Sequence, residues 1–156
     1  MNNVTLKPDV VYWAIKNCLA FFILIISAFI FQFENLLLRY VQVFVSFSLL
    51  CYIGFSYLTI MCTKWIITEE QIKIYTGVFF KEINYIELYR VYDYEERKNI
   101  IQVLIKNVNY LIYSKDKSTP ILIMGGVRDK GNIIELIRER VEIQRQNKSI
   151  YELINQ

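Results

Sequence analysis

The side chains able to do chemistry in this chain are few and poorly placed for it. Asp93, Glu95 and Glu96 follow Arg90 closely, and the three cysteines, Cys18, Cys51 and Cys62, all sit inside apolar runs. Adjacent carboxylates at an exposed strand end solvate that end more readily than they share a proton, so they do not read as an acid/base pair. There is no histidine, and zinc sites need Cys or His at ligand spacing, so no metal centre is expected. A disulfide from Cys18 to Cys51 or Cys62 is left open by periodicity, but small apolar residues within apolar helices are the simpler reading. No glycine loop cradles a phosphate and no nucleophile stands beside a base in a known motif. The chain therefore reads as no enzyme, with no cofactor.

The remaining polar candidates fare similarly. Arg90 and Asp93 read as a structural pair that satisfies groups at a strand bend. Arg97-Lys98, Lys115 and Lys117 read as solvated turn charges, and Tyr85, Tyr89, Tyr92 and Tyr94 as cross-strand partners, not as a stacking platform for bases. The net charge is +3, with +1 up to Cys62 and +2 beyond, both signs mixed. That is a solvated surface, and no nucleic-acid partner follows from it.

The elements that must position these residues begin with Val41 to Cys62, 22 residues without a charge. At about 1.5 Å per residue the run covers about 33 Å, close to a hydrocarbon core of about 30 Å. An earlier run, Cys18 to Phe33, holds only Ser27 and Gln32 as polar residues and reaches spanning length when Val11 to Asn17 form its first turns. No small residues suited to signal cleavage lie near its end, at residues 29–33, so it reads as retained. The expected organisation is a cytoplasmic tail over 1–10, a two-helix transmembrane hairpin over 11–62 (about 11–33 and 38–62), a folded domain over 63–146 and a C-terminal tail over 147–156. Tyr12, Trp13, Lys16, Lys64 and Trp65 read as membrane-interface anchors. Small residues, Ala14, Cys18, Ser27 and Ala28 against Ser48, Cys51 and Gly54, offer a seam between the helices. Lys7, Lys16, Lys64 and Lys73 lie on the side shared by both termini, against Arg39 in the connection. The positive-inside rule then places both termini in the cytoplasm.

Beyond Cys62 the period shortens to that of strands. Lys64 to Thr68, Gln71 to Tyr75 and Val78 to Tyr85 read as a meander, and Ile86 to Glu95 as a fourth strand. In that fourth run Ile86 and Leu88 share a face but Val91 does not, which predicts a bulge or bend near Tyr89-Arg90. Arg97 to Lys106 reads as a short helix capped by Asn99, with Ile100, Val103 and Leu104 on one side. Val108 to Ser114 and Ile121 to Met124 complete six strands, and Gly125-Gly126 is expected to break the sheet. From Asn132, the spacing of Ile133, Leu136, Ile137, Val141 and Ile143 predicts an amphipathic helix.

Three stretches carry a family resemblance: WIITEEQIKIYTGVFFK at Trp65 to Lys81, IELYRVYDY at Ile86 to Tyr94, and TPILIMGGVRD at Thr119 to Asp129. With the order of elements around them, the chain resembles the bacterial membrane-flanked pleckstrin-homology (PH) domain family over nearly its whole length. The resemblance implies a membrane helical hairpin followed by an α+β domain, an antiparallel β-barrel or curled sheet capped by a C-terminal amphipathic helix. A PH barrel has seven strands, so either one of the six runs is two strands or the barrel is less complete. Members usually carry a glycine-bearing turn where Lys106-Asn107-Val108 stands here, and Asn tolerates the left-handed backbone such a turn needs.

These stretches mark a fold and not an activity. The leading expectation is a module integral to the cell (inner) membrane, multi-pass, that displays an interaction surface at the cytoplasmic face to a protein partner or a second copy of itself. The alternative is sensing of anionic lipid head groups by the barrel. Against it, the first strand-to-strand turn, where eukaryotic relatives place phosphate-binding cations, is Glu69-Glu70. A pore built by the spans has little support, since neither carries an ionisable residue midway.

Overall fold

The computed structural model describes residues 3–29 and 35–154. Among them the chain runs β1 (Val4–Leu6), α1 (Val10–Lys16), α2 (Cys18–Phe29), α3 (Leu36–Cys62), β2 (Lys64–Ile67), β3 (Gln71–Thr76), β4 (Glu82–Glu87), a single 3₁₀ turn (Leu88–Arg90), β5 (Val91–Arg97), α4 (Ile100–Leu104), β6 (Asn107–Ser114), β7 (Ile121–Arg128) and α5 (Ile133–Ile154). The strands form two antiparallel sheets, ordered β1-β2-β3-β4 and β5-β6-β7. They do not close into a barrel.

Seven strands are present among the described residues, and the one missing from the sequence reading is β1. Residues 4–6 pair with Trp65 to Ile67 and Leu6 is buried, so the stretch expected as a tail is an edge strand of the domain. Three residues are too short to show a period-2 pattern, and their partner lies some sixty positions away.

The parity break near Tyr89-Arg90 has a larger consequence than a bulge. Ile86, Leu88 and Val91 are all buried, and the 3₁₀ turn between them supplies the odd residue that returns the chain to the inward phase. At this turn the chain leaves one sheet and enters the other. Backbone bonds from Leu88 N to Glu70 O (2.9 Å) and from Lys115 N to Arg90 O (3.0 Å) hold it to both.

Gly125-Gly126 does not end the second sheet, contrary to the expectation. β7 continues to Arg128 because the register slips between Val108 and Tyr110, and the Asn109 side chain accepts from Gly126 N at 2.7 Å across that irregularity. The left-handed residue at the α4–β6 turn is Lys106, with φ 56°, and not Asn107.

The inner faces of both sheets and one face of α5 share one core, in which Trp65, Ile72, Tyr110, Met124, Ile137 and Val141 meet. Arg140 is buried on the same helix and donates to Ile67 O at 2.8 Å and Thr68 O at 2.9 Å. Arg145 donates to Val91 O at 2.5 Å. Residues 147–154, expected as a tail that either extends the helix or frays, are helical, and α5 runs to Ile154. Ile143, expected in the apolar stripe, is exposed.

The helical segment also departs from two simple rods. Asn17 separates α1 from α2, and the two are bent by 56°. Its side chain is buried and donates to Trp13 O at 2.9 Å and to Ser56 Oγ at 3.3 Å, which fixes the break. Among the described residues α3 is long and apolar enough to cross a membrane, and α1 with α2 meets the same test only as one bent span. Polar bonds join α2 to α3: Ser27 Oγ meets Ser46 Oγ at 2.9 Å, and Gln42 Nε2 donates to Ser27 O. Of the expected small-residue seam Ser27 lies at this contact, whereas Cys18 and Cys51 are exposed and Gly54 has open space where a Cβ would lie. Residues 30–33 of the first expected span, and Glu34 in the connection, lie outside the described residues.

Candidate functional site

One end of the domain gathers the unusual features. β1, β2 and the β3–β4 turn present their helix-side ends there, and an isolated bridge between Pro8 and Val127 brings in the end of β7. α4 closes the same end, because it joins Arg97 of β5 to Asn107 of β6, whose partner is Arg128. Both α1 and α3 connect to the sheets here: Asp9 N donates to Gly126 O at 2.8 Å, and Thr63 alone separates α3 from β2.

Tyr12 and Trp13 build this joint. A Cβ on Gly126 would lie 2.1 Å from the Tyr12 ring, so the ring rests directly on the glycine backbone, at φ +64°. Trp13 Nε1 donates to Ser56 Oγ at 3.2 Å, and its ring meets Tyr57 edge-on at 5.1 Å between centroids. Lys16 is exposed and ends α1. Trp65, read from the sequence as an interface anchor, is instead 5 % exposed and part of the core. It falls on the inward parity of β2 together with Ile67, and burial of its ring outweighs any preference for the interface.

Beside the joint is a cleft of about 400 Å³ walled by Met61 and Tyr75 and ringed by Lys7, Lys64 and Lys81, with Glu82 as its one carboxylate. The Lys64 ammonium stands 4.4 Å over the Tyr75 ring, a cation–π contact that holds its stem along β3. Nothing in the sequence pointed to this cleft. Its three lysines come from β1's end, β2's start and the β3–β4 turn, and only the sheet register makes them neighbours.

α4 forms where its spacing and Asn99 predict it, but it turns a polar side chain inward. Gln102 is buried and Ile100, Ile101, Val103 and Leu104 are exposed. The Gln102 amide accepts from Asn99 N at 3.0 Å, capping the helix, and donates to Asn109 Oδ1 at 2.9 Å. Asn109 in turn holds Gly126. A five-residue helix has too little apolar area to oppose that polar network. Nearby, Lys98 donates to Asp129 Oδ2 at 2.5 Å; this bond raises the lysine pKa and is the leading cause that lowers that of Asp129.

Arg90 and Asp93 are not brought together. Arg90 Nε donates to the Tyr89 hydroxyl at 3.0 Å, and the guanidinium lies 3.4 Å from Glu87 and 3.5 Å from Asp116. Asp93 accepts from the backbone of Tyr94 at 2.8 Å. Both lie toward the far end of the domain from the helices. Among the described residues no three His, Cys, Asp or Glu side chains are grouped to hold a metal ion.

A family model described as a bacterial PH domain matches residues 17–140, which takes in α2, α3, strands β2 to β7 and the first part of α5 but not β1. No curated protein and no solved structure matches the chain.

Proposed function

The chain belongs to the bacterial PH domain family, and from that premise we propose that it is a non-catalytic interaction module anchored in the cell membrane by a helical hairpin, with its domain and both termini on the cytoplasmic side and a protein as partner. The observation that carries the anchoring is α3. Its 27 residues carry one charge, Arg39 in the first turn, and are otherwise mostly apolar, yet Ile53 is its one buried side chain. Left in water, such a helix would expose most of its apolar surface, whereas a bilayer solvates it.

The sheet supports the hairpin. β1 precedes the helices and β2 follows them, yet the two are hydrogen-bonded neighbours. A sheet is not divided by a bilayer, so the chain leaves and returns through one face, and a crossing by α3 requires α1 and α2 as the other leg. Lys7, Lys16, Lys64 and Lys73 against Arg39 favour the cytoplasm for that face. In this reading Lys16 and Lys64 stay at the interface while Tyr12 and Trp13 lock the hairpin to the domain.

For the partner, the outer face of the three-stranded sheet exposes Tyr92, Ile121 and Ile123 around a half-buried Tyr113. An apolar patch on the solvent side of a sheet suits a protein surface, of another protein or a second copy of the chain. Two measurements on the intact chain test the proposal. After an alkaline carbonate wash the protein stays in the membrane pellet; recovery in the soluble fraction without detergent overturns the anchoring. A photocrosslinking residue at Ile123 in native membranes gives one discrete adduct and the same probe at Glu139, on the exposed side of α5, gives none; silence at Ile123 overturns the partner surface.

A further inference from the structure

The end of the domain that meets the helices also carries its most exposed aromatic side chains. In the β3–β4 turn Phe79 is 80 % and Phe80 86 % exposed. The turn is built to hold them out: Gly77 has φ +98°, and a Cβ there would lie 1.8 Å from Phe80 O, so a side chain is excluded. The Phe79 ring stacks on Phe55 of α3 at 6.2 Å between centroids. Phe55 is seven residues before the end of that helix, or about 10 Å along its axis. The apolar residues of α4 are turned outward at the same end of the domain.

Where α3 lies in lipid, Phe79 lies beside acyl chains, and the lysine cleft next to it falls at head-group depth. Three ammonium groups, Lys7, Lys64 and Lys81, face one carboxylate, Glu82. Met61 and Cys62, in the last turn of α3, line the cleft as well. It is therefore polar and cationic toward the domain and apolar toward the bilayer, the two halves of a phospholipid in the order a leaflet presents them.

We propose that this cleft binds the phosphate of an anionic phospholipid of the surrounding leaflet, with Phe79 and Phe80 inserted among the acyl chains beside it. The occupant comes from the plane of the membrane and not from solution, because the last turn of α3, Met61 and Cys62, forms part of the cleft's own lining. The site is distinct from the Glu69-Glu70 turn, which lies at the opposite end of β2 and β3. It deepens the anchored-module reading and rests on it.

The test uses the intact chain in nanodiscs of phosphatidylcholine with a minor share of phosphatidylglycerol, followed by native mass spectrometry of retained lipid. The wild-type chain retains phosphatidylglycerol over phosphatidylcholine by about tenfold relative to the supplied ratio, an enrichment that falls in high salt. Joint Lys7→Gln, Lys64→Gln and Lys81→Gln substitution abolishes the enrichment, while Lys115→Gln with Lys117→Gln, at the far end, leaves it intact. Equal retention of both lipids by the wild type overturns the proposal even should the triple variant misfold. Displacement of the lipid by millimolar inorganic phosphate overturns its assignment to the leaflet. Failure here with the chain still in the carbonate-washed pellet rejects the cleft and leaves the anchor standing; loss from the pellet rejects the anchor itself.

Discussion

Gly126 shows how much of this structure rests on a single missing side chain. Its φ of +64° lies in the left-handed region, and the Tyr12 ring occupies the space a Cβ would need. Gly126→Ala is expected to cost about 2–4 kcal/mol, adding backbone strain to the displacement of the ring. Thermal unfolding in a nonionic detergent reads the loss. Tyr12→Ala made together with it should recover part of the cost, since the clash is then gone, and a strictly additive pair would reject the contact. Tyr110 offers a second test at this scale. Its hydroxyl is buried without a hydrogen-bond partner among the described residues, and burial pushes its pKa up to about 12. A tyrosine released by unfolding ionises near its ordinary value of about 10. Below that pH both states hold the proton; above it the unfolded chain loses the proton first, so stability falls as pH climbs from 10 toward 12. Tyr110→Phe should make that fall shallower by about one proton and, by removing an unsatisfied hydroxyl, leave stability at neutral pH unchanged or higher by about 1 kcal/mol. An unchanged slope would place the Tyr110 hydroxyl in contact with water. Neither residue announces its role in the sequence, because Tyr12 and Gly126 are over a hundred positions apart and a tyrosine on an inward strand position looks like any other core aromatic.

Among the elements, α4 separates what spacing reveals from what it cannot. Its position and its Asn99 cap are legible, since a polar residue before a run of helix formers marks a start. Which face turns inward is not. Apolar spacing assigns Ile100, Val103 and Leu104 to the core, but the bond from Gln102 to Asn109 wins, and it depends on the β6 irregularity. Leu104→Ser should therefore change unfolding by less than about 0.5 kcal/mol, whereas Gln102→Leu should cost about 1–3 kcal/mol by uncapping α4 and leaving Asn109 short of a donor. The reverse order in a detergent melt would mean that α4 packs as its spacing suggests. The same division runs through the other elements. Strands β2, β3 and β6, the bend after Leu88 and the apolar face of α5 are visible as local periodicity. β1 and the continuation of β7 through two glycines are each imposed by a distant partner: β2 and Asn109. The lysine cleft belongs to this second group.

At the scale of the whole molecule, the pairing of β1 with β2 constrains the path of everything between them. Two neighbouring strands in one sheet stand on one side of any bilayer, so the helices between Leu6 and Lys64 cross an even number of times. With α3 as one crossing, the break at Asn17 lies within the other leg, where its side chain adds a second donor to the Trp13 carbonyl that its own backbone N–H already reaches, and extends to Ser56 on α3. Kinks of this kind are tolerated in a membrane when a neighbouring helix satisfies the released polar groups. The path has a direct consequence for labelling. In a chain whose Cys18, Cys51 and Cys62 are replaced by serine, a cysteine at Asn35 should react with an impermeant maleimide added outside intact cells, and a cysteine at Asn3 should react only after the membrane is opened. Reaction of Asn3 from outside with Asn35 protected would invert the orientation but keep the hairpin. Reaction of both from outside would mean that α3 does not cross, and the apolar surface of that helix would then need a protein to cover it.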